Sequence, residues 1–212
     1  MPELYSTVIR SCVAPLSLAY ALGIFAQSAV AESAVAEKDR GAAPSTANAY
    51  FAGGCFWCME ADFEKIDGVD QVVSGFTGGT LANPTYDGKH EGHYEAIKVR
   101  YNPDSVSYQQ LLQLYWRNVD PFDADGQFCD RGDSYRAAIF YANKQQRALA
   151  EASKLTIASE FPSQSVITPI LEVTEFWPVK EYHQDYYKKR SLKYNFFRWR
   201  CGRDKRLKEI WG

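Results

Sequence analysis

The junction that most restricts the fold lies near position 50, where a short apolar segment, Tyr50-Phe51-Ala52, meets two glycines and then a helical period. The apolar segment reads as a buried strand. Gly53-Gly54 provides a sharp turn, because a residue without Cβ reaches backbone angles closed to others. From Cys55 to Ile66, the residues Phe56, Met59, Phe63 and Ile66 recur at helical spacing, and Asp67-Gly68 stops the helix. A strand that turns tightly into a helix puts Cys55 at or near the helix N-terminus. Free amide N–H groups and the helix dipole favour a thiolate there, with pKa values of ~3.5–7.5. Two readings of this stretch stand level on local physics. Cys55 is a nucleophile cradled by Phe56 and Trp57, or it is a buried cysteine in a tight turn with those aromatics as core.

The rest of the chain alternates strands and helices. Val69 to Phe76 reads as a strand closed by Thr77-Gly78-Gly79, and Thr80 to His93 as a polar loop with turn signals at Asn83-Pro84 and Asp87-Gly88. Tyr94 to Tyr101 alternates as a half-buried strand, with Ala96, Lys98 and Arg100 against Ile97, Val99 and Tyr101. Ser107 to Val119 is an amphipathic helix. Asp120 to Tyr135 is a loop long enough to suggest function. A strand at 136–141, an alanine-rich helix at 144–159, a strand at 166–173 and a helix at 180–189 follow, and then a basic, aromatic tail. The spacing is too uneven for a doubly wound sheet. The expected class is α/β (α+β): a single-domain two-layer sandwich with a mixed β-sheet flanked by helices and an extended C-terminal tail.

Residues 1–31 stand apart from this pattern. A short segment ends at Arg10, an apolar run extends from Val13 to Ala26, and Ala29-Val30-Ala31 fits a cleavage site. The run is short for a membrane span of ~20 residues. We therefore read a secretory signal, with an uncleaved anchor as the alternative, and expect an exported, periplasmic or similar location. Residues 32–48, rich in Ala, Ser, Thr and Glu, read as a flexible linker, leaving 49–212 as the functional domain. Cys12 would leave with the signal.

Four cysteines then remain: Cys55, Cys58, Cys129 and Cys201. An even count in an exported chain is compatible with structural disulfides. With 212 residues, 46% of them hydrophobic, the core needs no such staples, so redox chemistry competes with that reading. A net charge of -2 argues against nucleic acid as the main partner. The aromatic, basic tail is better explained by a solvated surface, or by Lys and Arg stems over aromatics, than by strand binding.

Two rival sites can be drawn. Cys55-x-x-Cys58 alone suggests a thioredoxin-like disulfide oxidoreductase, but it lacks the usual Trp-Cys-Gly-Pro surroundings. Cys55, Cys58, His90 and His93 have zinc-ligand spacings within each pair, but the pairs are too far apart for a compact finger and a domain of this size needs no zinc.

Beyond the cysteine pair, a series of short motifs is more specific. Gly-Cys55-Phe56-Trp57 resembles the active-site motif of the methionine sulfoxide reductase A family. Gly75-Phe76-Thr77-Gly78-Gly79, Asn83-Pro84-Thr85-Tyr86 and Gly92-His93-Tyr94-Glu95 are similar to that family's signatures, in family order. So are Gly126-Gln127-Phe128-Cys129-Asp130-Arg131-Gly132, Tyr135-Arg136 and His183-Gln184-Asp185-Tyr186. The resemblance covers roughly residues 50 to 190.

The resemblance implies roles. Cys55 would attack the sulfoxide sulfur. Phe56 and Trp57 would hold the substrate methyl group, with Tyr186 a further pocket residue. Glu95, Tyr86 and Tyr135 would hydrogen-bond the sulfoxide oxygen, and Asp130 would order the site. The substrate would be methionine S-sulfoxide, free or in peptides and proteins. The electron donor would be a thioredoxin-like protein, and the chain would act as a monomer without metal or organic cofactor and without stable membrane insertion after signal cleavage. These roles are chemically coherent: a carboxyl buried among aromatics holds its proton and can donate it, and phenols stabilise developing charge. Cys55 would become a sulfenic acid that a second cysteine converts to a disulfide.

The chain departs from the commoner pattern, in which glycine often follows Phe-Trp; here Cys58 does. Cys201, in the tail where the family often keeps its recycling cysteine, is favoured for resolving the sulfenic acid, then Cys58, with Cys129 third. The plain reading of Cys129 is a buried, inert thiol.

Overall fold

The computed structural model describes residues 45–212, so the signal segment and most of the linker lie outside the described residues. Ala47 and Asn48, read as linker, already belong to a strand, β1 (Ala47–Ala52), paired with Tyr101 and Arg100. The other strands of the main sheet are β2 (Val69–Thr77), β3 (Tyr94–Tyr101), β6 (Ala138–Tyr141), β7 (Ile170–Glu172) and β8 (Trp177–Pro178). Their order is β7-β6-β1-β3-β2-β8, antiparallel except for the parallel β6–β7 pair. The sheet is therefore mixed, as expected, and helices flank it.

β1 sits inside the sheet, which is why its sequence is apolar without alternation: Ala49, Phe51 and Ala52 are fully buried. Around it pack α1 (Phe56–Phe63), α2 (Tyr108–Arg117) and α3 (Lys144–Glu160), with Met59, Phe63, Leu111, Leu112, Tyr115 and Trp116 in one apolar core. Burial at roughly 1.5–3 kcal/mol per large apolar side chain fixes the strand that feeds the Gly53-Gly54 turn. A capping box at Ser107, closed by Gln110, starts α2, and the Asn143 side chain caps α3. β3 differs from its expected alternation. Tyr94 to Ile97 are all buried, because β1 and β2 flank this strand and the functional site covers its outer start.

Three segments depart from the sequence reading. The strand expected over 166–173 is cut to Ile170–Glu172, the stretch that pairs with β6. The helix expected over 180–189 breaks into a 3-10 turn, Glu181–His183, and α4 (Tyr186–Lys189). The break has a physical cause. Gln184 leaves the helix to bond β2: its Oε1 accepts Ser74 N–H at 2.9 Å, and its Nε2 donates to Ser74 O at 2.8 Å. Asp185 then adopts a left-handed conformation. Finally, the tail expected to be extended folds as α5 (Ser191–Cys201) and α6 (Arg203–Trp211), hinged at left-handed Gly202. Arg198 bridges Asp62 and Asp204, Arg206 reaches Asp120, and Trp211 Nε1 donates to Val119 O.

The long loop at 120–135 is also ordered. It holds a small hairpin, β4 (Gly126–Gln127) and β5 (Asp130–Arg131), and a 3-10 turn at Asp133–Tyr135. Buried Gln127 ties it together, accepting Asp120 N–H at 2.8 Å and donating to Asp120 O at 2.9 Å. Among the described residues, no helix is long and apolar enough to cross a membrane.

Candidate active site

The turn between β1 and α1 admits nothing larger than glycine. A Cβ on Gly53 would stand 2.7 Å from Met59 Sδ and 2.8 Å from Val119 Cγ1, and Gly54 has φ +81°. This tight passage leaves Cys55 as the N-cap of α1, its carbonyl accepting the Cys58 and Met59 N–H groups. The next amide, Phe56 N–H, donates to Glu95 Oε2 at 3.1 Å. Glu95 comes from β3 and is 2% exposed.

A cavity of about 750 Å³ opens here. It is lined by Cys55, Trp57, Tyr86, Glu95, Asp130, Tyr135 and Tyr186, so residues from six separate segments meet. Cys58, Cys129 and Cys201 line the same cavity. Phe56 is the one expected site residue that does not line it. Fully buried, it packs behind the wall, 6.1 Å from the Tyr86 ring and 5.7 Å from the His183 ring. Trp57 stacks on Tyr186 at 3.9 Å with rings nearly parallel, giving the wall a flat apolar face.

Burial sets the protonation of this site. It pushes the Glu95 carboxyl up to about 8; the Asp130 charge adds to the rise, while the Phe56 amide and Tyr135 oppose it. Glu95 therefore carries a proton at neutral pH. Burial, followed by the Glu95 charge, pushes the Tyr86 phenol up to about 12 and raises Tyr135 as well. Asp130 is raised by burial, with Arg203 and the Cys55 amide pulling it back.

The thiol behaves otherwise than the helix-start argument expects. Cys55 is raised, first by its hydrogen bond to Cys58, then by burial and by the charges of Cys58, Glu95 and Asp130. The amides that would have stabilised a Cys55 thiolate are spent on Glu95, Asp130 and the Cys55 carbonyl itself. Cys58 is lowered to about 7, first by the hydrogen bond from Cys55 and then, against burial, by Arg203 and Arg198. The two thiols thus share a proton, and the first ionisation belongs to the pair.

Cys129 and Cys201 form a disulfide with Cα atoms 4.9 Å apart. Cys129 is exposed, contrary to the reading of a buried, inert thiol. The backbone explains this: Phe128 takes a positive φ of 58° in the hairpin turn, swinging Cys129 outward to meet the last residue of α5. His90 and His93 do not join the cysteines. Both ring nitrogens of His93 are used within its loop, on Gly79 N–H and Leu81 O, and His90 bonds Thr85 O.

Two residues escaped the sequence reading. Arg203, 1% exposed, reaches from α6 to donate to Gly53 O at 3.0 Å and Asn118 O at 2.7 Å, with its guanidinium 4.6 Å from the Phe128 ring. It is the positive charge shared by Cys58, Asp130 and the glycine turn. Nothing in a run of basic residues marks one of them as buried. His183, 2% exposed, stands 4.2 Å from the Tyr86 ring, and burial lowers its pKa, so it completes the wall as a neutral ring. It lay inside a recognised motif without a role.

Relatives with this architecture are known. Residues 47–212 match the family model described as peptide methionine sulfoxide reductase. A Caulobacter vibrioides protein named peptide methionine sulfoxide reductase MsrA 2 is 50% identical over 81% of this chain and 88% of its own length. The Bacillus subtilis MsrA is 47% identical over 77% of this chain and 95% of its own. The solved structure of methionine sulfoxide reductase A of Corynebacterium diphtheriae superposes with a TM-score of 0.62 at 30% identity, over 71% of this chain and 77% of that one. With a family model spanning the whole described fold, the chain belongs to the peptide methionine sulfoxide reductase family.

Proposed function

We propose that this methionine sulfoxide reductase acts on the S epimer, free or in polypeptides, with Cys55 as nucleophile and Glu95 as proton donor. One observation carries the assignment: a single cavity gathers a thiol, a protonated carboxyl and two phenols against an apolar wall. The S–CH3 end of the substrate packs on Trp57 and Tyr186. The sulfoxide oxygen faces Glu95, Tyr86 and Tyr135, which supply a proton and hydrogen bonds as the sulfur is attacked. Asp130 orders the Cys55 backbone. The oxygen passes to sulfur, leaving methionine and a Cys55 sulfenic acid. The reaction needs no metal or organic cofactor.

Cys58 then attacks the sulfenic sulfur, releasing water and forming a Cys55–Cys58 disulfide. Its shared proton with Cys55 and its lowered pKa support this over direct attack by Cys201, the residue favoured from sequence. The Cys129–Cys201 dithiol, in reduced protein, takes over the disulfide by exchange and restores both active-site thiols. Exposed Cys129 then presents the oxidising equivalents to a thioredoxin-like dithiol protein. The leader-like segment at 1–31 supports an exported enzyme whose donor also works outside the cytosol.

The test uses purified protein, dithiothreitol and the separated epimers of N-acetyl methionine sulfoxide, with methionine counted. Turnover of the S epimer alone is expected; turnover of the R epimer, or of neither, removes the proposal. For recycling, Cys58→Ser is expected to form one equivalent of methionine in a burst and then stall with a protein dithiol donor. Cys129→Ser and Cys201→Ser should slow only donor-driven turnover. Normal donor-driven cycling in Cys58→Ser would return the resolving role to Cys201.

A further inference from the structure

We infer that the exposed face of α5 beside the cavity mouth is a docking surface for polypeptide substrate, selecting acidic and apolar residues around the oxidised methionine. The inference rests on the active-site reading above. From Tyr186 to Cys201 the chain carries Lys188, Lys189, Arg190, Lys193, Arg198 and Arg200 and no carboxylate, although the whole protein has a net charge of -2. Lys188, Lys189 and Arg198 are engaged by Glu64, Asp185, Glu181, Asp62 and Asp204. Among the described residues, Arg190, Lys193 and Arg200 have no ionic partner and stand exposed.

Apolar surface is concentrated on the same helix. Leu192, Phe196 and Trp199, spaced along one face, are 87%, 50% and 76% exposed. Large apolar side chains gathered in one exposed stretch mark a contact surface. The adjoining face of the helix, one residue further on, borders the active site: Lys193, Phe197 and Arg200 line the cavity that holds Cys55 and Glu95, with Tyr182 also at that wall. When a methionine sulfoxide side chain enters, the residues on either side of it must cross this rim. A free amino acid has no flanking residues to place there. Positive, aromatic and unpaired, the rim suits a segment carrying Glu or Asp together with apolar residues. An electron donor fits less well. It must reach the disulfide at exposed Cys129, beside Arg200, whereas Lys193 lies eight residues, or about 12 Å of helix, from Cys201; an entering peptide meets both cations.

The test measures kcat/KM with dithiothreitol as reductant, for peptides Ac-X-Gly-Met(O)-Gly-X-amide with X as Glu, Gln or Lys, and for N-acetyl methionine sulfoxide. The Glu peptide is expected to exceed the Gln peptide about 5-fold, the size of two exposed ion pairs, with Lys below Gln. The preference should shrink as salt rises. In the double variant Lys193→Gln/Arg200→Gln the Glu-to-Gln ratio should fall to about one; each ratio is taken within one protein, so a general loss of activity cancels. Equal rates for the three peptides, or a ratio that survives in the double variant, overturns the inference. So does a flat ratio accompanied by a raised KM for a protein dithiol donor, which would assign the surface to the donor. Absence of turnover on N-acetyl methionine sulfoxide by the wild-type protein would instead count against the active-site reading.

Discussion

Cys55→Ser is expected to lose at least about 10⁴-fold in turnover of the S epimer, the scale on which removal of a covalent nucleophile is felt. The chemistry allows no substitute. Oxygen transfer to sulfur yields a sulfenic acid, whereas transfer to a serine oxygen would require a peroxide bond. Cys58, the other free thiol lining the cavity, is 8% exposed and more buried than Cys55, and it lacks the Cys55 position at the turn into the helix. The fold should survive, since serine is slightly smaller than cysteine and the turn depends on Gly53 and Gly54 rather than on the thiol. The measurement is methionine released per minute, together with trapping of a sulfenic acid on Cys55 by a carbon nucleophile in Cys58→Ser. Substantial turnover by folded Cys55→Ser, or a sulfenic acid trapped elsewhere, would end the proposed mechanism.

Glu95→Gln is expected to slow kcat/KM by roughly 10²–10⁴-fold, the contribution of a positioned general acid. The pH profile separates this role from a merely structural one. Glu95 holds its proton up to about 8, so the acid is present below that pH and lost as pH rises through it. Cys58 gives up its proton near 7 and can then take the proton of Cys55 as that thiol attacks, so this base is lost as pH falls through that value. Wild-type protein should therefore show a bell between those limbs, and Glu95→Gln should keep the acidic limb and lose the alkaline one. Stability follows the same group. The unfolded chain releases this proton at ~4.3, so burying Glu95 contributes fully below that pH and progressively less as pH climbs towards about 8. The variant's melting temperature should be flatter across that window. A wild-type rate, or an unchanged alkaline limb, would show that another group donates the proton.

The parts of the site that could be read from sequence are those built by local rules. Gly53-Gly54 before a helical period required a tight strand-to-helix turn, and Cys55 is indeed the N-cap. Turn residues and apolar periods placed β2, β3, α2 and α3 close to where they are found. Glu95, Tyr86, Tyr135 and Asp130 carry no local signal, since a carboxylate at a strand start is usually solvated. They were named only through the ordered motifs, and the cavity that unites them joins residues up to 146 positions apart in sequence, Cys55 and Cys201.

The ionisation of Cys55 and the fate of the tail were decided by tertiary structure. A helix N-terminus favours a thiolate only while its amides are free. Here the fold brings Glu95 and Asp130 to those amides and sets Cys58 beside the thiol, reversing the direction of the shift. The basic tail folds back because the core offers Arg203 the carbonyls of Gly53 and Asn118, and Asp62 and Asp120 engage Arg198 and Arg206. That return carries Cys201 to Cys129 across 72 residues. Sequence alone determined which chemistry the chain possesses and where its backbone turns. The three-dimensional packing decided which charges lose water and which thiols meet, because desolvation and contact depend on neighbours distant along the chain.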